Sequence, residues 1–150
     1  MRGPAPDITI EVTVPHSASD VWAELRHIDR HVQWMSDAQC ITFHDDQREG
    51  VGTSLDCRTK IGPLVTTDVM TITRWDDNVA MGVTHHGIFT RRGEFVLSTD
   101  GSDTRIMWHE RLEFPWWCGG VVGALVARPI ARAVWRKNLI RLADLLGSAL

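Results

Sequence analysis

The sequence predicts an α+β fold, a curved seven-stranded antiparallel sheet wrapped around one long C-terminal helix. Three observations predict it. Most of the chain before residue 114 alternates apolar and polar residues with a period of two, the pattern of half-buried strands. Short turn signals separate these runs, so consecutive strands pair antiparallel. One long helical tract then follows, FPWWCGGVVGALVARPIARAVWRKNLIRLADLLGSAL over Phe114–Leu150. The apolar face of a sheet and the apolar stripe of a helix are buried against one another, and the space between them can hold a pocket.

The elements follow in chain order. Ile8, Ile10, Val12 and Val14 alternate with Thr9, Glu11 and Thr13 in a first strand that Pro15 ends. Ser17, three residues before Asp20, is an N-cap signal for a short helix carrying Val21, Trp22, Leu25 and Ile28 at helical spacing. A second short helical piece over Asp29–Met35 holds Val32, Trp34 and Met35. From Ala38 a strand carrying Ile41 and Phe43 runs to the charged segment Asp45–Glu49, and Gly50 and Gly52 bracket the next turn. Strands are predicted at Thr53–Ile61, Leu64–Trp75, Val79–His86, Gly93–Thr99 and Thr104–Phe114. The turns between them are Gly62-Pro63, Asp76-Asp77-Asn78, the Gly87–Arg92 loop and Asp100–Asp103. In the terminal tract, Phe114–Ala127 is apolar all round and Gly-rich, a candidate gate or plug. Pro129–Leu146 is amphipathic, with Ile130, Ala131, Val134, Trp135, Leu142, Leu145 and Leu146 on one arc and Arg132, Arg136, Lys137 and Asp144 on the other. Pro129 fits the first turn of a helix or a kink.

Composition bounds the function. The 150 residues predict one domain, residues 1–150, with an ordinary apolar fraction of 43% and a charged fraction of 23%. A net charge of −3 argues against a nucleic-acid binder. Cys40, Cys57 and Cys118 form no CxxC pair, so neither a disulfide framework nor a zinc site is indicated, and a reduced, cytoplasmic setting is expected. The N-terminal MRGPAPDITIEV has no apolar run of signal-peptide length. Val121–Ala127 is followed at once by Arg128, short of the roughly 20 apolar residues of a membrane span. Seven Trp and no Tyr make the aromatic surface flat and apolar, with one N–H donor per ring.

Several short motifs on this frame resemble the START-like, Bet v 1-like superfamily, and within it the bacterial polyketide cyclase/dehydrase and lipid-transport branch. They are Val14-Pro15 followed by Val21-Trp22, Ile28-Asp29, Gln33-Trp34-Met35, Gly50-Val51-Gly52-Thr53 and Trp108-His109-Glu110, together with the long terminal helix. The resemblance spans about the whole chain. It implies a helix-grip fold, in which the sheet clasps the last helix over a cavity. Carriers, cyclases, hydrolase-like members and proteins without an assigned activity share that fold, so the fold does not choose among them.

Hairpin register assigns the inner face. A two-residue turn at Gly62-Pro63 sets Leu55 opposite Met70, Cys57 opposite Asp68 and Thr53 opposite Ile72. A four-residue turn at Trp75–Asn78 sets Ile72 opposite Met81, Met70 opposite Val83 and Asp68 opposite His85. Pairing Leu97 with Ile106 sets Phe95 beside Trp108 and leaves Glu110 inward near Gly93. The expected pocket is therefore lined by Leu55, Cys57, Asp68, Met70, Ile72, Met81, Val83, His85, Phe95, Trp108 and Glu110, with Val134, Asn138 and Leu142 from the helix. Asn138 stands within the apolar arc, where a buried amide needs partners or costs roughly 1–3 kcal/mol.

Each polar group has a chemical and a structural reading. Asp68 and His85 suit an acid–base pair, or a structural ion pair at a strand end. Glu110 suits a general base or a ligand anchor, or a carboxylate satisfied by its neighbours. Catalytic candidates are His85, Glu110 and Asp68. His85 and His86 point to opposite faces of a strand, so no metal site is expected from them. Cys57 lacks a Cys-His setting and reads as an inert buried thiol. Trp116 and Trp117, beside Gly119-Gly120, are an entrance to the cavity or a plug in its end. Next to Arg128 and Arg132 that surface could also meet a membrane or a partner, although basic residues on a helix are more often solvated.

The expected function is binding of a small hydrophobic ligand, lipid or polyketide-like, between sheet and C-terminal helix. A cyclase/dehydratase-type enzyme using general acid–base groups in that cavity is the alternative. A protein-interaction module acting through Trp116-Trp117 is a third. No nucleotide loop or metal motif is present, so no cofactor is expected. The expected partner is a small apolar molecule, with a homodimer or a protein partner left open.

Overall fold

A computed structural model describes residues 7–61, 63–87, 90–113 and 120–148. Seven strands form one antiparallel sheet: β1 (Asp7–Val14), β2 (Ala38–Phe43), β3 (Ser54–Ile61), β4 (Leu64–Asp76), β5 (Ala80–His86), β6 (Thr90–Asp100) and β7 (Asp103–Glu113). The spatial order is β1-β7-β6-β5-β4-β3-β2. Every neighbouring pair except β1–β7 is a consecutive hairpin or connection, so β1 alone must cross to the far edge. Between β1 and β2 lie α1 (Ala18–Leu25) and a 3₁₀ turn (Ile28–Gln33). The helix α2 (Gly120–Ser148) packs against β1 and α1.

Local chemistry explains the boundaries. The Ser17 hydroxyl accepts the Asp20 backbone N–H at 3.2 Å and so caps α1. The second helical piece is a 3₁₀ turn, not an α-helix, and its Trp34 is fully buried. β6 begins three residues earlier than the sequence predicts. Thr90, Arg91 and Arg92 find ladder partners in Glu113, Leu112 and Arg111 of β7, which the alternation does not reveal. Pro129 lies inside α2, away from its first turn, and Ile130 is 55% exposed, off the buried arc expected for it. Leu139 is fully buried instead, at helical spacing from Trp135 and Leu142.

Register decides which side chains meet. The first hairpin pairs Leu55 with Met70, Cys57 with Asp68 and Ile61 with Leu64, as the two-residue turn requires. The last pairs Leu97 with Ile106, Phe95 with Trp108 and Gly93 with Glu110, also as expected. The middle hairpin differs. Met70, not Asp68, lies opposite His85, and Val83, not Met81, lies opposite Ile72. Two local features move it. Asp76 pairs with Ala80, leaving a loop of Asp77, Asn78 and Val79 in which Asn78 takes a positive φ of 65°. A bulge then falls between Ile72 and Arg74. The net slip at His85 is two residues, so His85 stays on the inner face while its partner changes.

One polar clamp fixes the helix. Asn138, 0% exposed, accepts from the Ser36 backbone N–H and hydroxyl, both at 2.9 Å, and donates to Asp37 Oδ1 at 2.7 Å. The Asp37 backbone carbonyl in turn accepts the Lys60 backbone N–H of β3 at 2.8 Å. Asn138 is thus a tie between α2 and the segment leading into β2. Replacing Asn138 with Ala should lower unfolding stability by about 2–3 kcal/mol in urea titration, because Asp37 and Ser36 lose a buried partner. Asn138→Leu, which keeps the branching and heavy-atom count but has no polar atoms, should not restore it. A Leu variant as stable as the parent would show that apolar packing alone seats the helix.

Candidate functional site

The inner wall is apolar and aromatic. Leu55, Cys57, Ile72, Met81, Val83, Phe95 and Trp108 are buried, and Met70 is half-buried. From α2, Leu142 is buried and Val134 half-buried. Trp108 stacks on Trp135 with ring centroids 5.7 Å apart and meets Phe95 at 4.8 Å. Trp34, at the end of the 3₁₀ turn, meets Phe95 edge-on at 5.9 Å and Trp108 at 6.4 Å. Offset and edge contacts of this kind hold flat rings at fixed angles. The sequence places Trp34 in a helical piece without assigning it to this wall, since nothing local indicates what its ring meets.

The polar groups of the wall divide into two clusters. In the first, Glu110 is 1% exposed and its Oε1 lies 3.9 Å from His85 Nε2. That separation is an ion-pair distance, longer than a direct hydrogen bond. β6 runs between the strands that carry these residues, and the inward position there is Gly93, paired with both Val83 and Glu110. A Cβ on Gly93 would lie 3.7 Å from Glu110 Oε1, and a longer side chain would stand between carboxylate and imidazole. The absence of a side chain at 93 lets the pair approach across an intervening strand.

In the second cluster, Asp68 is buried opposite Cys57 and accepts from the Thr66 hydroxyl at 2.9 Å. Its carboxylate occupies the space beside Gly87, where any Cβ would overlap it. The register sets Met70, not the expected Asp68, opposite His85, whose Nε2 faces Glu110. His86 is exposed while His85 is turned inward, as adjacent strand residues must be. The Cys57 thiol lies 3.8 Å from the Thr59 hydroxyl in a buried setting. Trp116 and Trp117, expected at an entrance, lie outside the described residues.

His31 is a buried group with no signal in the sequence. Its Nε2 is 2.7 Å from the Leu25 carbonyl oxygen, which can only accept, so Nε2 carries the proton. The ring sits against Trp34 and Phe95. Burial lowers its pKa to about 4, opposed by the Leu25 carbonyl and by Asp29.

Comparison with known proteins gives the fold. No protein-family model and no curated protein matches the chain. Among solved structures, the protein TTHA0849 from Thermus thermophilus superposes with a TM-score of 0.81 at 16% identity, covering 96% of this chain and 99% of that one. This chain has the helix-grip fold. It is the fold of the START-like, Bet v 1-like proteins. The Zhui aromatase/cyclase from Streptomyces sp. R1128 matches with a TM-score of 0.71 at 18% identity, over 96% of this chain and 93% of that one. Ara h 8.0201 matches with a TM-score of 0.66 at 13% identity, over 96% and 99%. Among the described residues no helix is long and apolar enough to cross a membrane.

His31 gives the clearest pH prediction. Its folded pKa lies below its unfolded value of 6.5, so the unfolded chain takes up the proton first. Stability should be full above pH 6.5 and fall as pH drops toward 4, by on the order of 3 kcal/mol from this residue. In urea midpoints measured across that window, His31→Gln should flatten the slope. An unchanged slope would assign the acid sensitivity to other groups.

Proposed function

We propose that the protein binds a small, largely apolar molecule, of lipid or polyketide-like type, between the sheet and α2. The observation that carries this reading is the His85–Glu110 pair, its carboxylate buried, in a largely aliphatic and aromatic wall. Helix-on-sheet packing needs no ionisable pair there, and burying a carboxylate is costly unless it is matched. A ligand with one polar end gives the pair a purpose. Leu55, Met70, Ile72 and Val83 cover its apolar part at ~25 cal/mol per Å² buried, before association costs. His85 and Glu110 orient its polar end. One of the solved structures sharing this fold is named an aromatase/cyclase, which supports a carbon-rich ligand.

The same pair favours a second reading, a cyclase- or dehydratase-type enzyme. His85 would take an acidic C–H proton from a carbonyl-rich chain. The resulting enolate would attack a carbonyl carbon of the same chain, and the new alkoxide would take a proton from the imidazolium. Glu110, as the carboxylate, would stabilise that imidazolium; in the later loss of water His85 would take a second C–H proton and give it to the leaving hydroxide as the C=C bond forms.

Native mass spectrometry and solvent extraction of the purified protein should yield a co-purifying apolar molecule, or the empty protein should bind a fluorescent fatty-acid probe saturably. Glu110→Gln and His85→Ala should each weaken probe binding about tenfold while the fold persists. Gly93→Val should do the same by parting the pair. Empty protein that binds no such probe sinks the pocket reading. For the enzyme reading, turnover of a poly-β-ketone substrate should vanish in both substitutions, and turnover retained in both removes their assigned roles.

A further inference from the structure

The charge of the chain is divided unevenly. α2 carries Arg128, Arg132, Arg136, Lys137 and Arg141 against one carboxylate, Asp144, a net of +4. The whole chain is −3, so everything outside α2 carries −7. An asymmetry of this size within one molecule marks a surface that attracts an anionic partner. The buried stripe of α2, with Trp135, Asn138, Leu139, Leu142 and Leu146, seats the helix on the protein. The opposite side is exposed, and it is there that the cations stand.

Helical periodicity sorts the exposed positions into three parallel lines. Pro129, Ala133 and Ile140 form the centre, with Asp144 at its C-terminal end. Arg132 and Arg136 run along one flank. Lys137 and Arg141 run along the other, with the exposed Ile130 one line-position before them. Each flank sets like charges four residues apart, a spacing at which they repel. Arg141 donates to the Gln33 carbonyl at 3.2 Å. Arg132, Arg136 and Lys137 make no ion pair or hydrogen bond among the described residues. Three cations are thus left to the solvent on either side of an apolar line. Just before them, the first two turns of α2, Gly120–Ala127, contain no polar residue.

We propose that the exposed face of α2 docks on an anionic phospholipid bilayer, with the flanking cations on lipid phosphates and the centre line at the headgroup boundary. Guanidinium and ammonium groups take phosphate oxygens through charge-assisted hydrogen bonds, and an anionic surface turns the repulsion along each flank into attraction. Long cationic stems reach the headgroups while Ile130 and Ile140 sink below them. Isoleucines set among cations on a convex face match a surface that offers phosphates and hydrocarbon in one plane, which a nucleic-acid backbone does not. The −7 carried by the rest of the chain is repelled by the same surface, so the molecule lands with α2 toward it. No helix among the described residues is long and apolar enough to cross, so α2 lies on the bilayer. Docking uses only the exposed side of α2 and does not require a ligand at the inner wall.

The whole chain is mixed with vesicles of equimolar phosphatidylcholine and phosphatidylserine, with pure phosphatidylcholine vesicles as the control. Flotation should carry the protein up with the anionic vesicles and not with the neutral ones, and added salt should release it. Arg132→Gln combined with Arg136→Gln should weaken binding about 25-fold. The double variant should melt no lower than the parent, because a repulsion has gone. Ile140→Ser should weaken binding about tenfold. Arg58→Gln, an exposed cation of β3, should bind as the parent does. Equal binding to neutral vesicles, parent affinity in the double variant, or the same loss in Arg58→Gln overturns the docking face. Polyglutamate or single-stranded RNA bound more tightly than the anionic vesicles, with Ile140→Ser without effect, overturns the bilayer in favour of an acidic protein or a nucleic acid.

Discussion

The fold depends on seating one helix on a curved sheet in one position. Apolar burial drives α2 onto the sheet but is non-directional, and a helix could slide along such a surface at little cost. The Asn138 amide removes that freedom. It binds Ser36 and Asp37 with both its oxygen and its nitrogen, and Asp37 is itself tied to β3 through Lys60. With Asn138 fixed, Trp135 falls on Trp108 and the aromatic wall closes around Phe95 and Trp34. A single buried polar group thus converts general attraction into a specific register.

Glycine governs the chemistry of both faces. Gly93 leaves space on the inner side, so that Glu110 and His85 can face each other across the strand between them. Gly82 leaves space on the outer side, opposite the β4 bulge, where a groove lined by Arg74, Thr84 and His109 opens. Gly87 makes room for the Asp68 carboxylate. In each case the local geometry comes from a missing side chain, and the polar residues around it are ordinary strand positions. The two faces differ in character. The inner one is largely apolar around a few buried polar groups, whereas the outer one is polar and exposed.

The seven strands, the turns of the first and last hairpins and the inward set were legible from alternation and turn chemistry. A two-residue turn and a tight last hairpin fix register unambiguously, and both matched. Helical spacing also contained Leu139, though the arc drawn from it passed to Ile130 instead. Harder to read was anything set by a bulge. The loop at Asp77–Val79 and the extra residue near Thr73 together move His85 from its expected place opposite Asp68 to one opposite Met70, and the alternation marks neither. His31 was equally silent, since a histidine in a polar stretch reads as exposed until its neighbours are known.

By itself the sequence determined which residues face inward, because a two-residue period leaves each strand position only one side of the sheet. It also determined that a long amphipathic helix must cover that face. Only the tertiary structure decided which inward groups meet. Partnership across strands depends on bulges, loop lengths and the absence of a side chain at Gly93, and these act between segments far apart in the chain. The same holds for Asn138, whose partners lie about a hundred positions away. A local pattern can state that an amide is buried, but only the folded chain supplies what it bonds to.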